Sequence, residues 1–378
     1  MDIELKFKEL FGAEPEVIVQ APGRTELGGN HTDHQHGLVL AAPIDLMVKA
    51  TVRGNQSGKI RLYSEGYGMM EVDLNDTGIH KEEFETPISL LRGVAAEFVP
   101  CALTGFDAYV ISEVPAGSGL SSSAAMEILL GKICCSLTGV ERSGEELAIL
   151  GQKVENQYFG KPCGLLDQMA CASHGIVAID FKDPGHPLVR EVQYDFAAAG
   201  YCLCIVKCGA GHENLTANYA AIPEELAKVC AVLGASVIRE VDEQEFYDRI
   251  REIRETCGDR AVLRAIHEFE DNRRVAAQIE ALAQNDLETY FSLVQASGRS
   301  SWEYLQNVIP EGAAFHQDMA FALAIAERHL KGQGAFRVHG GGFAGTIQAY
   351  VPLDEKESFR KGMEAALGEG CCLFVQAG

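Results

Sequence analysis

The sequence is poor in basic residues and contains no long apolar run. It holds 32 Lys and Arg against 54 Asp and Glu, which gives a formal net charge of -22 at pH 7. Nucleic acids and anionic membrane surfaces repel such an acidic chain, so we expect neither as a partner. No stretch approaches the ~20 apolar residues of a membrane span. The first residues, MDIELKFKEL, lack a secretory apolar segment. We therefore expect a cytoplasmic protein.

The sequence also lacks the cysteine spacing of a zinc site. Its twelve cysteines include two adjacent pairs, Cys134 with Cys135 and Cys371 with Cys372. No CxxC motif is accompanied by a second pair or by histidines, as structural zinc sites require. We expect buried, reduced thiols instead, because free cysteine is commonly a core residue.

The length of the chain favours two domains. Single hydrophobic cores rarely grow beyond roughly 250–300 residues, and this chain has 378, of which 47% are hydrophobic and 23% charged. Its periodicity indicates a mixture of helices and strands without fixing a topology. The stretch AAAG at residues 197–200 is the candidate boundary, which gives domains of residues 1–197 and 198–378.

Residues 115–125, PAGSGLSSSAA, form the stretch most suggestive of a binding site. They follow a predicted strand, Phe106–Ser112, and lead into a predicted helix at residues 121–137. A helix that begins after a Gly/Ser loop points several N–H groups and a positive dipole end at one place, which is typical of phosphate sites. The predicted contact residues are Pro115, Gly117, Ser118, Gly119, Leu120, Ser121, Ser122 and Ser123.

Two better-known phosphate-binding loops are excluded by single positions. A Walker loop requires Lys after Gly119, where Leu120 stands, and a GxGxxG loop requires glycine where Ser122 stands. Glycine still allows positive φ in this loop, and the serines can cap the helix, bind phosphate oxygens or ligate Mg²⁺. From these residues alone, an ordinary glycine-rich turn before a capped helix remains an alternative.

A second polar stretch, RTELGGNHTDHQHG, occupies residues 24–37 and follows a predicted strand at residues 16–20. Its Arg, Asn, His, Asp and Gln side chains lie among glycines and offer the mixed donors and acceptors that a polyhydroxylated ligand needs. The histidine spacing, HxxHxH without a helix, matches no common metal site. A polar surface loop is the remaining alternative.

Three motifs in this sequence resemble those of one superfamily. Residues 21–37, APGRTELGGNHTDHQHG, resemble the galactokinase signature, whose usual form is PGR-x-N-L-I-G-E-H-T-D-Y. Residues 115–125 resemble the second motif of the GHMP small-molecule kinases, and residues 340–345, GGGFAG, resemble the third. The resemblance implies an α+β, two-domain GHMP-kinase fold with the active site in the inter-domain cleft. It further implies transfer of phosphate from ATP, with Mg²⁺, to the anomeric hydroxyl of D-galactose.

The resemblance also implies roles for individual residues. Asp167, in PCGLLDQM at residues 162–169, matches the acid that faces the sugar hydroxyl and the signature Arg24. Both are the expected catalytic residues. Glu155, with Ser122 or Ser123, matches the Mg²⁺ ligands. The implied sugar-binding residues are Asn30, His31, Asp33, Asp167 and Tyr219.

The predicted pair of Arg24 and Asp167 raises a question about mechanism. A cation within ~4–6 Å lowers a carboxyl pKa by roughly 1–3 units, which weakens the carboxylate as a base. If the transition state is loose, little proton abstraction is needed early. Asp167 then serves chiefly to orient the hydroxyl.

Asn30 departs from the usual signature, which has Glu at this position. An amide has no charge, so it can bind a C6 hydroxyl and tolerates a C6 carboxylate better than Glu does. His34 and Gln35, in place of Tyr-Asn, are similar to plant galacturonate kinases. Galactose is the expected substrate, with galacturonate or arabinose as alternatives.

Two other classes of function agree less well with these residues than a kinase does. A non-catalytic sensor of sugar and ATP is disfavoured because the phosphate motif, Glu155 and Asp167 are all intact. A purely structural module would not place two charged sites on glycine loops. The sequence gives no prediction of oligomeric state.

Overall fold

The computed structural model describes residues 2–115, 117–161, 163–209, 215–343 and 345–378. Parts of the predicted motifs fall outside these residues, namely Ala116, Pro162 and Ala344. The chain forms two compact units, one of Met1–Arg24 and Pro43–His174, the other of Thr25–Ala42 and Gly175–Gly378. The boundary predicted between residues 197 and 198, and the position of the active site relative to it, stay predictions.

The first unit combines a sheet with several helices. Its strands are the first part of β1 (Val17–Gly28), the second part of β2 (Leu38–Gly54), β3 (Lys59–Ser64), β4 (Gly68–Asp73) and β5 (Phe106–Ser112). Its helices are α1 (Ile3–Phe11), α2 (Pro87–Phe98), α3 (Ser122–Thr138), α4 (Gly144–Val154) and α5 (Leu166–Ala172). The strands run in the order β4-β3-β5-β2, with β3 parallel to β5 and the other pairs of this series antiparallel.

The second unit has a four-stranded antiparallel sheet and most of the long helices. Its strands are β6 (Val177–Asp180), β7 (Leu188–Glu191), β8 (Tyr201–Lys207), β9 (Ala335–His339), β10 (Thr346–Pro352) and β11 (Cys372–Val375). Its helices are α6 (Thr216–Val232), α7 (Glu243–Asp248), α8 (Ile250–Cys257), α9 (Asp259–Ala283), α10 (Leu287–Ser300), α11 (Asp318–Leu330) and α12 (Lys356–Leu367). The sheet order is β11-β8-β10-β9, while β6 pairs with the first part of β2 and with β7.

Short turns of helix complete the structure. The 3₁₀ turns are Thr32–Gln35, Lys81–Glu83, Val99–Cys101, Ile238–Glu240 and Leu353–Glu355, and the π turns are Glu155–Phe159 and Ser301–Leu305. The two π turns matter most for function. One extends α4 and carries Glu155, and the other follows α10 and carries Ser301.

The core of the second unit is formed by alternate residues of its strands, which face the same side of the sheet. Val206, Val338, Ile347 and Ala349 are completely buried on the sheet and belong to the same hydrophobic cluster as residues of α11 and α12. Each fully buried aliphatic side chain of this kind contributes roughly 1.5–3 kcal/mol relative to exposure. A separate cluster joins α6, α8 and α9. This packing fixes α9, which carries several buried polar residues discussed below.

Most predicted elements are confirmed, and one strand corrects the prediction. The strand predicted at residues 16–20 does not end at residues 21–23 but continues through Pro22 to Gly28. Among the described strands β1 pairs only with β2, and a strand open on one side tolerates proline because it lacks one ladder there. Strand β2 also runs through a proline, since Pro43 lies between the segments of β2 that pair with β6 and with β5.

All twelve cysteines are free thiols, and none of them is fully exposed. Within the described ranges, no helix has both the length and the apolar character of a membrane span.

Candidate active site

The phosphate loop, residues 115–121, is shaped by glycines. Gly117 and Gly119 have φ of 68° and 72°, in the left-handed region predicted for them. Ser121 is the N-cap of α3, with φ of 55°, but its side chain does not cap the helix. The Ser118 hydroxyl donates to the Pro115 carbonyl at 2.6 Å, which closes the loop from within. The first-turn N–H groups of α3 therefore donate no hydrogen bond to the cap side chain.

Strand β1 supports this loop from one side. A Cβ atom on Gly23 would lie 2.9 Å from the Leu120 carbonyl oxygen and 3.1 Å from the Val114 side chain. The Arg24 N–H donates to the same Leu120 carbonyl at 3.1 Å. Only glycine at position 23 allows the strand to approach the loop this closely.

Arg24, Asp167 and the phosphate loop form one hydrogen-bonded network. The Arg24 guanidinium donates from Nε to Asp167 Oδ1 at 2.8 Å and from Nη1 to the Gly119 carbonyl at 2.5 Å. The Ser121 hydroxyl donates to the other carboxylate oxygen, Asp167 Oδ2, at 2.5 Å. Arg24 is buried, while the Asp167 side chain is 37% exposed. The network thus holds a carboxylate against the loop and leaves part of it accessible.

The Arg24 charge decides the ionisation of Asp167. Burial alone would raise the pKa of this carboxyl, but the Arg24 charge and the hydrogen bonds from Ser121 and Arg24 outweigh it and hold the pKa below its usual value. Asp167 is therefore ionised at neutral pH and only accepts hydrogen bonds. The direction of this shift agrees with the prediction from Arg24 proximity.

Ser123, in the first turn of α3, contacts Glu155. The Ser123 hydroxyl donates to Glu155 Oε1 at 3.2 Å, and Gln168 Nε2 donates to Glu155 Oε2 at 2.7 Å. Ser122, which directly precedes Ser123, is the first residue of α3. Glu155 is almost completely buried, and burial raises its pKa, opposed by the charge of Lys161.

The chemistry of this pair suits Mg²⁺. Hydroxyl and carboxylate oxygens are hard ligands, and Mg²⁺ usually binds one or two carboxylates together with substrate phosphates and water instead of a full protein cage. The described part of the chain contains no group of three or more His, Cys, Asp or Glu arranged to hold a metal.

Two further polar residues beside Glu155 were not predicted. Gln168 Nε2 also donates to Glu127 Oε2 at 3.1 Å, and both side chains are buried. Burial raises the pKa of Glu127 well above its ordinary value, and the nearby Glu155 charge adds to this. The available sequence signals were that Glu127 lies four residues after Ser123 on α3 and that Gln168 follows Asp167.

In the second unit, Asn30 lies at the centre of a buried network. Its side-chain Nδ2 donates to the Gly340 carbonyl at 2.7 Å and to Glu26 Oε1 at 3.3 Å. Its Oδ1 accepts from Asn307 Nδ2 at 2.8 Å and from Ser301 Oγ at 3.2 Å. The residue has no exposed surface. The four hydrogen-bonding positions of the amide are therefore all in use.

His31 and Tyr219 contact the glycine turn, residues 340–343. His31 Nε2 lies 3.1 Å from the Gly341 carbonyl oxygen, and the Tyr219 hydroxyl donates to the Gly342 carbonyl at 2.9 Å. Desolvation lowers the pKa of His31 to about 4, so its imidazole is neutral at pH 7. Asp33 lies in the turn Thr32–Gln35 and accepts from the His34 N–H at 2.9 Å. Asn30, His31 and Tyr219 therefore all contact the same turn, residues 340–343.

Comparisons with known proteins point to one family. The chain matches the GHMP kinases N terminal domain over residues 89–175 and the galactokinase galactose-binding signature over residues 5–53. The galactokinase of Haemophilus influenzae is 30% identical over 361 residues, which cover 92% of this chain and 88% of that protein. The galactokinase of Glaesserella parasuis is 29% identical over 370 residues, covering 95% and 91%.

Solved structures agree with these sequence relatives. Lactococcus lactis galactokinase, crystallised in complex with galactose, superimposes with a TM-score of 0.81 at 27% identity, covering 99% of this chain and 96% of that chain. Methanococcus jannaschii mevalonate kinase gives a TM-score of 0.68, covering 96% and 98%, but at 17% identity it shows the fold alone.

The α+β fold and the match over residues 89–175 define an ATP-dependent small-molecule kinase of the GHMP class. The expected fold class and enzyme class are therefore confirmed. Within this class, the chain belongs to the galactokinase family.

Proposed function

We propose that the protein transfers the terminal phosphoryl group of ATP to the anomeric hydroxyl of D-galactose, giving galactose 1-phosphate and ADP. The observation that carries this proposal is the network of Arg24, Asp167 and Ser121, which attaches an ionised carboxylate directly to the phosphate loop. The relatives that cover nearly the whole chain are named galactokinases, and one of them was solved with galactose bound.

The phosphate loop and Asp167 divide the chemistry between them. The N–H groups at the start of α3 and its positive dipole end would hold the phosphates of ATP. Asp167 would accept a hydrogen bond from the sugar hydroxyl and orient its oxygen toward the phosphorus. Arg24 keeps this carboxylate ionised, at the cost of basicity. This suits phosphoryl transfer, in which positioning and charge stabilisation matter more than early proton removal.

Ser122 or Ser123, with Glu155, would hold Mg²⁺. When bound, the metal neutralises charge on the phosphate oxygens. The support for this assignment is the 3.2 Å contact between the Ser123 hydroxyl and Glu155. His31, Asp33, Asp167 and Tyr219 are the proposed sugar contacts. We place the protein in a reducing, cytoplasmic environment because its twelve cysteines are free thiols.

The test is ATP consumption with Mg²⁺ against D-galactose, D-galacturonate and L-arabinose. Turnover on galactose supports the proposal, and turnover on galacturonate or arabinose alone moves the substrate while keeping the mechanism. Binding of sugar and ATP without turnover on any sugar would indicate a sensor and contradict the proposal.

Asp167→Ala tests the catalytic assignment. Loss of a group that orients a reacting atom can cost about 10²-fold in rate, so we expect kcat to fall by at least this amount while ATP still binds. Asp183→Ala removes an exposed carboxylate and is the matched control, with activity expected to stay at the wild-type level. Near-normal turnover in Asp167→Ala would remove this residue from the mechanism.

A further inference from the structure

We propose that Glu26 and Asn30 form a coupled pair, neutralised by Arg337, that positions the glycine turn, and that Asn30 is a positioning residue instead of a sugar ligand. The coupling between Glu26 and Asn30 is argued from contacts within the second unit and does not depend on the proposed function. Only its kinetic consequence rests on the proposed function.

The first observation is that the Asn30 side chain has no hydrogen-bonding capacity left for a sugar. An amide offers two donor hydrogens and two acceptor lone pairs. The donors go to Glu26 and the Gly340 carbonyl, and the acceptor positions are taken by Asn307 and Ser301. A sugar hydroxyl would have to displace one of these partners from a fully buried site, which leaves a buried polar group unpaired.

The second observation is the charge on Glu26. Its carboxylate forms an ion pair through Oε1 with Arg337, whose side chain is only 1% exposed. Asn30 donates to the same Glu26 oxygen. One buried cation therefore compensates the Glu26 carboxylate, and its charge also lowers the pKa of the buried Asp271. The neutral amide of Asn30 connects the Glu26–Arg337 pair to the glycine turn.

A second carboxylate at position 30 would disturb this balance. The carboxylate oxygen in place of Nδ2 would face Glu26 and the Gly340 carbonyl, both of which only accept hydrogen bonds. The backbone N–H of Asn30 already donates to another buried acid, Asp271, at 2.9 Å. Like charges in a buried site are strongly unfavourable unless they are compensated.

The sequence pattern agrees with an exchange between the two positions. The usual form of the signature, PGR-x-N-L-I-G-E-H, has an amide where this chain has Glu26 and a carboxylate where it has Asn30. Both forms contain one acid and one amide. In this chain the acid is at position 26 instead of position 30, and Arg337 contacts it there.

The experiment is a double-mutant cycle with substitutions that keep side-chain size: Glu26→Gln, Asn30→Asp and the combination of both. We expect each single variant to lower Tm by more than about 5 °C, because one leaves Arg337 unpaired and the other adds an uncompensated acid. The double variant should recover at least half of the Asn30→Asp loss, since an acid and an amide are again paired near Arg337.

Asn75→Asp is the matched control. Asn75 also donates to a carboxylate oxygen, that of Asp73 at 3.0 Å, but both residues are exposed. We expect its Tm to stay within about 1 °C of wild type, because exposed charge pairs contribute little. Three results would each overturn the proposal. The first is additive Tm losses in the cycle, and the second is an Asn30→Asp variant as stable as Asn75→Asp. The third is a double variant that does not fold while a single one does.

A kinetic measurement separates positioning from ligand binding. If Asn30 does not contact the sugar, the ratio of kcat/KM for galactose to that for galacturonate should change less than about threefold between wild type and the double variant. A change of more than about tenfold, equal to 1.4 kcal/mol, would show that position 30 senses the C6 group and overturn the positioning role. Failure of wild type to phosphorylate any sugar would contradict the proposed function and leave the Tm cycle as the test of coupling.

Discussion

Among single residues, Asp167 shows most directly how environment sets chemical role. The carboxylate receives hydrogen bonds from both Arg24 and Ser121. These partners favour the charged form, so the residue is a hydrogen-bond acceptor of low basicity throughout the neutral range. Such a group fits a reaction whose transition state develops charge on phosphate oxygens more than on the attacking hydroxyl.

Ser121→Ala tests this balance through the pH profile. The Ser121 hydroxyl is one of the groups that lower the pKa of Asp167, so its removal should raise that pKa. Asp167 is active when ionised, and the acid limb of kcat/KM should therefore move to higher pH in the variant. Steady-state rates from about pH 3 to 8 measure the shift, because even an ordinary Asp carboxylate protonates only near pH 4. Ser143→Ala, which removes a cap on α4, is a control with an unshifted profile. An acid limb that stays in place in Ser121→Ala would separate this limb from Asp167.

Among the elements, α9 is unusual for the polar residues that it buries. Glu268 is 2% exposed, and neither of its carboxylate oxygens has a hydrogen-bond partner among the described residues. Burial raises its pKa well above the ordinary value, and the charges of Asp271 and Asp33 add to this. One turn of 3₁₀ helix, Thr32–Gln35, supplies Asp33, so the protonation of Glu268 is linked to the signature segment within the second unit.

Glu268→Gln should make stability less dependent on pH. Because the folded-state pKa of Glu268 is raised, its contribution is fully present below the unfolded-state value, near 4.5, and is lost as pH rises toward the folded-state pKa. In this window each pH unit costs up to about 1.4 kcal/mol. The variant should match wild type in Tm near pH 4 and exceed it increasingly toward pH 8. A Tm difference that is constant over this range would contradict a protonated Glu268.

Local sequence signals predicted the elements that carry the first part of the site. The strand Phe106–Ser112 and the start of α3 both appear as expected. These features depend on neighbours within a few residues. The continuation of β1 through Pro22 was missed because it depends on which strand lies beside it, and local composition does not contain that information.

For the candidate site, too, the local sequence predicts only part of what the structure shows. The motifs identified Arg24, Asp167, Glu155 and Asn30 as residues of interest. They could not show that Asn30 is saturated by hydrogen bonds, because Ser301, Asn307 and Gly340 are more than 270 positions away along the chain. A side-chain type at one position indicates what it can bond, while the fold decides what it does bond.

For the whole molecule, ligand binding offers a test that does not depend on turnover. Any ligand that binds only the folded state stabilises it by about 2.7 kcal/mol at a concentration of 100 Kd. For unfolding of a unit of 150–250 residues this corresponds to a Tm increase of roughly 5–10 °C. We expect galactose and MgATP each to raise Tm by about this amount.

Removal of the metal should separate the two ligands. The proposed Mg²⁺ ligands, Ser123 and Glu155, lie beside the phosphate loop in the first unit. With EDTA in excess, the stabilisation by ATP should fall by at least half, because the loop then binds the phosphates without charge neutralisation, while the stabilisation by galactose should persist. Glu155→Gln should reproduce the effect of EDTA without chelator, and Glu145→Gln, on the exposed first turn of α4, should not. Equal stabilisation by ATP with and without Mg²⁺ would rule out a metal at Glu155, whereas loss of the galactose effect with EDTA would place the metal at the sugar instead of the nucleotide.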